Sequence, residues 1–276
     1  MAVTLDAELT VATGDLRDAL RAVTPHAEPN KTGDNEAEHR VRLVADAQHV
    51  HVLAANGQTA AAAIVSIEDD SRRERFAADD GPLIIDITPR QARLLLQQFK
   101  AKPTDPDGVE QLAALRVRTD EDGSALEVAD VSGLFAGESV RFPAVGVSDA
   151  FPDVLAAVRR ALAEAGQSPL GKPLTVPGRV FGLFTPASTV YAQPLVVEPT
   201  GPTESRGFLV SCGESFLGVV SSRHADDDSL AKRDGWRRGW LRRLGLAGAP
   251  DDPEHEAAVL EHARRELGAD QPLASV

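Results

Sequence analysis

The sequence predicts an α+β fold made by repeating one small unit: a strand, a helix and three further strands. Three observations carry this expectation. Apolar runs of strand length with period-2 alternation recur as far as Arg223. Each set is interrupted once by a segment whose apolar positions fall three and four residues apart. The same order of elements then occurs three times, which says more than any single pass.

In the first unit Leu9-Thr10-Val11 reads as a short strand, and a helix follows from about Asp15 to Thr24. Leu16, Ala19, Leu20 and Val23 share one face of it, and Pro25 ends it. Arg40 to Ala45 alternates, Asp46-Ala47-Gln48 supplies a turn, His49 to Ala54 alternates again, and Ala60 to Ile67 is a further apolar run. A charged connector, Glu68 to Gly81, has too few apolar residues to be core.

The second unit begins with the strand Leu83-Ile84-Ile85-Asp86. Thr88 suits an N-cap with Pro89 at the first helical position, and the helix runs to about Lys100. Strands are expected at Leu115 to Thr119, Ala125 to Val131 and Ser139 to Phe142, with a turn at Asp120 to Gly123. Phe151 to Ala165 reads as an amphipathic helical connector. The third unit runs from Leu174 through a helix near Pro177–Tyr191, where Gly182 and Pro186 oppose regularity, to strands at Leu195–Glu198, Phe208–Cys212 and Phe216–Val220. After Arg223 a basic aromatic segment, Lys232 to Leu246, precedes an acidic helical candidate from about Pro253 to Leu267.

A chain of 276 residues with 42% hydrophobic content can bury one large core or two modest ones. No stretch approaches the length of a membrane span, and Met1 to Glu8 lacks the basic and apolar regions of a signal peptide, so a cytoplasmic location is expected. The lone Cys212 cannot form an internal disulfide and fits a reducing compartment. A net charge of −13 argues against a protein that coats nucleic acid over its whole surface, but not against a local basic face.

Several short motifs taken together resemble the bacterial sliding clamp, the beta subunit of DNA polymerase III. They are Leu16-Arg17-Asp18-Ala19-Leu20-Arg21-Ala22-Val23, Val41-Arg42-Leu43, Ala54-Ala55-Asn56-Gly57-Gln58-Thr59-Ala60 and Phe151-Pro152-Asp153-Val154, followed by Phe208-Leu209-Val210-Ser211 through Phe216-Leu217-Gly218-Val219-Val220. The resemblance implies a DNA-clamp-like fold of one full domain plus about half of another. Residues 1–148 would form a domain of two units, 149–223 a connector helix and third unit, and 224–276 a basic, aromatic and then acidic tail. It also implies a non-catalytic processivity or tethering factor that lets duplex DNA through a ring and holds polymerase or repair proteins on it. DNA contact would be weak and non-specific, the protein a homo-oligomer, and no cofactor or metal is expected.

Two departures keep a second reading beside it, a clamp-derived interaction module that has lost the ring. A clamp chain has six units and this sequence offers three; a twelve-unit ring would need four such chains. The family's Asp-Gly-His-Arg-Leu turn beside the partner groove is Asn56-Gly57-Gln58-Thr59-Ala60 here, and its C-terminal Met-Pro-Met-Arg-Leu falls at Val220-Ser221-Ser222-Arg223. The groove residues implied are Asn56, Gly57, Gln58, Thr59, Val219, Val220 and Arg223.

Arg90, Arg93, Gln97 and Lys100 form one polar stripe on the second helix, Arg17 and Arg21 a pair on the first, and Arg179 stands alone on the third. In a clamp these cations face DNA; the same stripe also suits an ordinary solvated helix face. In the tail, Trp236, Arg237, Arg238, Trp240, Arg242 and Arg243 suit nucleic acid, an anionic membrane or an acidic partner, or docking on the protein's own acidic surface. His49 and His51 share a strand face without a third metal ligand to name, and read as a half-exposed strand pair. Gly213 to Gly218 has the wrong glycine spacing for a nucleophile elbow and reads as a turn, Cys212 as buried and inert, and Asp69-Asp70 and Asp79-Asp80 as parts of a charged connector.

Overall fold

The computed structural model describes residues 4–27, 39–46, 48–68, 82–100, 111–120, 123–133, 137–143, 145–165, 174–200, 207–221, 223–224 and 227–243. Side chains 4–7, 118–120, 123–124, 164, 174–175, 223–224, 227, 229, 237 and 240–243 are left out of the description. Most of the charged connector after Glu68 and the segment expected at Pro253–Leu267 lie outside these residues. The chain divides into two compact units, Met1–Arg223 and His224–Val276.

Among the described residues the strands of the first unit are β1 Thr4–Ala12, β2 Val41–Ala45, β3 His49–Ala55, β4 Thr59–Ser66, β5 Leu83–Ile87, β6 Leu112–Asp120, β7 Gly123–Asp130, β8 Ser139–Pro143, β9 Leu174–Thr175, β10 Leu195–Thr200, β11 Gly207–Cys212 and β12 Phe216–Ser221. Its helices are α1 Thr13–Val23, α2 Pro89–Gln98, α3 Val154–Glu164, the single-turn α4 Gly178–Phe181 and α5 Thr185–Tyr191. The expected order of elements is present in all three repeats. The third helix is not continuous: α4 passes through a 3₁₀ turn at Gly182–Phe184 before α5 starts, with Pro186 in its first turn where its missing N–H costs nothing.

The first two repeats exchange strands. β1 leaves its own repeat and pairs antiparallel with β6, giving the order β1-β6-β7-β8, while β5 crosses back to pair with β2. The second sheet continues past β4 into the third repeat, in the order β10-β11-β12-β4-β3-β2-β5. In the β4–β12 seam Phe216 faces Ala63, Leu217 faces Ala62, and Gly218 faces Ala61.

Alanine is a poor strand former, yet Ala60 to Ala63 sit in the middle of a seven-stranded sheet. The reason is crowding on both faces. Ala61 and Ala63 pack into the main core beneath α1, whereas Ala62 joins Leu53, Ala55, Phe151, Val154 and Val158 in a second cluster beneath α3 on the opposite face. Large residues supplied by β12 and by the helices fill what the alanines leave open, which is how interiors reach close packing.

The connector into α3 is anchored by a buried ion pair. Asp86, its side chain inaccessible, accepts from Arg42 Nε at 2.7 Å and Nη2 at 2.9 Å, and from the backbone N–H of Ser148 at 3.0 Å. Arg42 also donates to the Ser148 carbonyl at 2.7 Å and lies 4.3 Å from the ring centroid of Phe151. Asp153 then caps α3, accepting from the Ala156 N–H at 2.9 Å.

Candidate nucleic-acid interface

On the face of the sheets opposite α3, the helices lie side by side in the order α5, α1, α2. Each turns its apolar face inward: Leu16, Ala19, Leu20 and Val23 of α1, Ala92 and Leu95 of α2, and Ala187 of α5 are all buried. The polar sides therefore form the outer surface of this layer. α2 starts where the sequence signals it, through a capping box. Thr88 Oγ1 accepts from Gln91 N–H at 3.2 Å, and Gln91 Oε1 accepts from Thr88 N–H at 2.8 Å.

The structure places the six cations on this layer unequally. Arg21, Arg90, Arg93, Lys100 and Arg179 are exposed. Arg17 is half-buried and braces two helices, its Nη1 donating to the Leu96 carbonyl of α2 at 2.8 Å. Burial and the neighbouring Arg21 pull its guanidinium below its ordinary range. Arg21 and Arg93 converge on a cleft of about 490 Å³ between the three helices, lined also by Leu96, Thr185, Thr189 and Val190.

Two acids share the layer, Asp15 and Asp18 of α1. Burial raises the Asp18 carboxyl, and both acids help burial to hold the Tyr191 phenol of α5 above its ordinary value, so the negative charge is felt on the α5 side. Over Thr13–Val23, Pro89–Lys100 and Gly178–Tyr191 there are six basic and two acidic side chains, a net of +4 in a chain of −13.

The two segments expected to line a partner groove are brought together by the β4–β12 seam: Val219 pairs with Ala60, Val220 with Thr59, and the Ser221 N–H donates to the Gln58 carbonyl. Their side chains serve mostly as internal structure. Asn56, Thr59 and Val220 are buried, Gln58 and Val219 are half-buried, and Gly57 is exposed at φ +72°, a backbone conformation that favours glycine. Asn56 Oδ1 accepts from the N–H groups of Gln58 and Thr59 and from the Thr59 hydroxyl. Because that hydroxyl donates to Asn56, it accepts from Nδ1 of the fully buried His26, 2.9 Å away. Burial holds the imidazole down to about 3, with only the Leu183 carbonyl favouring the charged form. No pattern singles out His26 in the sequence, because its partners, Thr59 at the start of β4 and Leu183 in the third repeat, lie 33 residues or more away along the chain. The Arg223 side chain lies outside the described residues.

His51 Nε2 lies 3.0 Å from Asp46 Oδ2, and the two histidine rings are 6.1 Å apart. Asp46 is depressed, since hydrogen bonds from Gln48, His51 and His49 outweigh the opposing effect of burial. Among the described residues no three His, Cys, Asp or Glu side chains gather as a metal site. Cys212 is buried, and burial raises its thiol. In the second compact unit Asp227–Arg243 forms a helix, α6, on which Trp236 and Arg238 are exposed; the side chains of Arg237, Trp240, Arg242 and Arg243 lie outside the description. Among the described residues no helix is long and apolar enough to cross a membrane.

Paired βαβββ repeats with exchanged first strands, sheets on one side and a helix layer on the other, define a DNA-clamp-like α+β fold. More particularly, it is the fold of bacterial DNA polymerase III beta sliding clamps in a divergent form. Caulobacter crescentus pol III beta superposes with a TM-score of 0.51 at 12% identity, over 80% of this chain and 67% of that one. The C. crescentus beta sliding clamp with bound PEG gives 0.50 at 12%, over 79% and 65%. The Thermotoga maritima beta subunit gives 0.49 at 12%, and there too this chain spans 65% of the clamp chain's length. No protein-family model matches the sequence, and no curated protein is similar to it.

Proposed function

We propose that this protein is a non-catalytic, clamp-like tether that rides on duplex DNA through its helix layer and holds replication or repair proteins there. The observation that carries the reading is the charge of that layer: a net of +4 over Thr13–Val23, Pro89–Lys100 and Gly178–Tyr191, with five of its six cations exposed, in a chain of −13. Helix faces that meet DNA at a distance contact phosphates, so binding is weak, independent of sequence and steeply salt-dependent. Assembly into a ring is supported by the third repeat. β10 ends the seven-stranded sheet with Val196 and Val197 exposed, whereas β2, its counterpart in the first repeat, is covered by β5 from the companion repeat. A second copy that supplies the missing half-domain would close that edge.

The test is the triple substitution Arg90→Glu, Arg93→Glu, Lys100→Glu. It removes roughly three phosphate contacts and should flatten the plot of log affinity against log salt by about three units of slope, without loss of fold, because all three side chains are exposed. A ring is also retained longer on circular than on linear duplex. Equal binding and equal salt slope for wild type and variant would refute the DNA-facing reading. Loss of binding in the variant with equal retention on circular and linear DNA would refute the ring alone and leave an open interaction module.

A further inference from the structure

We propose that α6 is a docking helix for single-stranded nucleic acid, distinct from the duplex-facing layer and not dependent on it. Trp236 is 69% exposed, although tryptophan is among the most highly buried residues on average. Both tryptophans of the chain, Trp236 and Trp240, stand on this helix one turn apart. From Lys232 to Arg243 there are six basic residues and one acid, Asp234, which pairs with Arg233 at 2.7 Å.

The arrangement on the helix decides between partners. At about 100° per residue, positions 236 and 240 fall between positions 232 and 243 on one side and 233 and 237 on the other. The aromatic positions are thus flanked by four of the six basic positions, with 238 and 242 on the other side of the helix. An interfacial membrane helix needs the reverse, a broad apolar face set against a basic one. Duplex DNA needs the cations but offers the indole no accessible base face. A single strand uses both groups at once, stacking a base on the indole while the flanking cations meet its phosphates. Beside the tryptophan positions, Gly235 and Gly239 have nothing within 4 Å of where a Cβ would stand, so a nucleic-acid backbone can approach the helix closely there.

Because both tryptophans lie on α6, tryptophan emission of the whole 276-residue chain, excited at wavelengths that tyrosine does not absorb, reports on this helix. Titration with oligothymidylate at low salt should quench that emission to saturation, and more strongly than an equal length of duplex. Trp236→Ala should weaken binding about tenfold, while Trp236→Phe, which keeps a stacking face, should bind nearly as wild type; circular dichroism checks that each variant keeps its helix. The Arg90→Glu, Arg93→Glu, Lys100→Glu variant should quench like wild type, which separates this site from the duplex-facing reading. Absence of quenching would overturn the proposal, as would equal quenching by duplex or a Trp236→Phe variant as weak as Trp236→Ala. A blue shift with phosphatidylserine vesicles and no response to oligothymidylate would overturn it in favour of a membrane.

Discussion

Replacing Arg42 by alanine tests whether the connector into α3 is held by a buried charge pair. The Asp86 carboxylate has no solvent access and accepts two hydrogen bonds from Arg42; after the substitution it keeps the Ser148 N–H at 3.0 Å and Arg40 at 3.5 Å. Breaking a buried pair by removing one partner costs about 3–5 kcal/mol, because the other charge stays buried without its partner. Arg40 can take over part of the role, so the low end applies, and loss of the guanidinium over Phe151 adds about 0.5–1 kcal/mol. For a body of this size each kcal/mol lowers Tm by about 2–4 °C, which puts the expected loss for Arg42→Ala at about 7–16 °C by thermal unfolding. The double variant Arg42→Met, Asp86→Asn removes both charges yet keeps an acceptor for Ser148, and should recover at least half of that loss. Hydrogen exchange in Val154–Glu164 should quicken in the single variant, since Ser148 and Phe151 are what tie the start of this helix to the sheet. A Tm loss below about 2 °C, or a double variant no more stable than the single one, would refute the reasoning.

Two further outcomes follow from the core. His26 is neutral in the folded protein down to about 3, whereas the unfolded chain takes up its proton near the ordinary 6.5. Stability is therefore unaffected by this group above that value and falls as pH drops below it, by about 1.4 kcal/mol per pH unit. Urea midpoints of wild type and His26→Gln should diverge by that slope between pH 6 and 5, and parallel curves would show that the histidine titrates freely. Gly218 sits where an added methyl would overlap the ring of the buried Phe184 and press on the Ala60 carbonyl. Gly218→Ala should cost about 2 kcal/mol, and adding Phe184→Leu should cost less than the two changes separately; strict additivity of the melting shifts would contradict the contact.

What was legible in the sequence is what local chemistry decides. The four apolar positions of α1, the Thr88–Pro89 start of α2 and the alternating strands all depend on neighbours a few residues away, and the structure repeats them. β1 is longer than its apolar triplet suggested, because pairing with β6 extends it back to Thr4. The exchange of β1 and β5 was not legible, since period-2 alternation marks a strand without naming its partner. Nor was the role of Asp86, which closes an expected strand yet pairs with Arg42, 44 residues away. Arg17 and Arg21 look equivalent by spacing, but the crossing of α1 over the end of α2 turns the first into a brace and leaves the second exposed. The alanine run of β4 reads as a simple apolar strand; only the two helices on its opposite faces explain why the residues are small.

An acidic protein can rest on DNA only if its positive surface is electrically separate from the rest. At physiological salt the Debye length is about 8 Å, and one layer of helices is about 10–12 Å thick. Carboxylates on the far faces of the sheets would therefore be screened from any phosphate set against the outward side of α1 and α2, while Asp15 and Asp18, on the layer itself, would not. Their position toward Tyr191 leaves Pro89–Lys100, with Arg90 and Arg93 on α2, Lys100 just past the helix end at Gln98, and no acid, as the strongest cationic segment of the layer. The outer face of the seam is closed in a different way. Phe151 of the connector and Val154 and Val158 of α3 cover it, so a partner that docked at the seam would meet the rim formed by Gly57, Gln58 and Val219 or would have to displace α3 from its apolar bed, beside which the Arg42–Asp86 pair holds the connector.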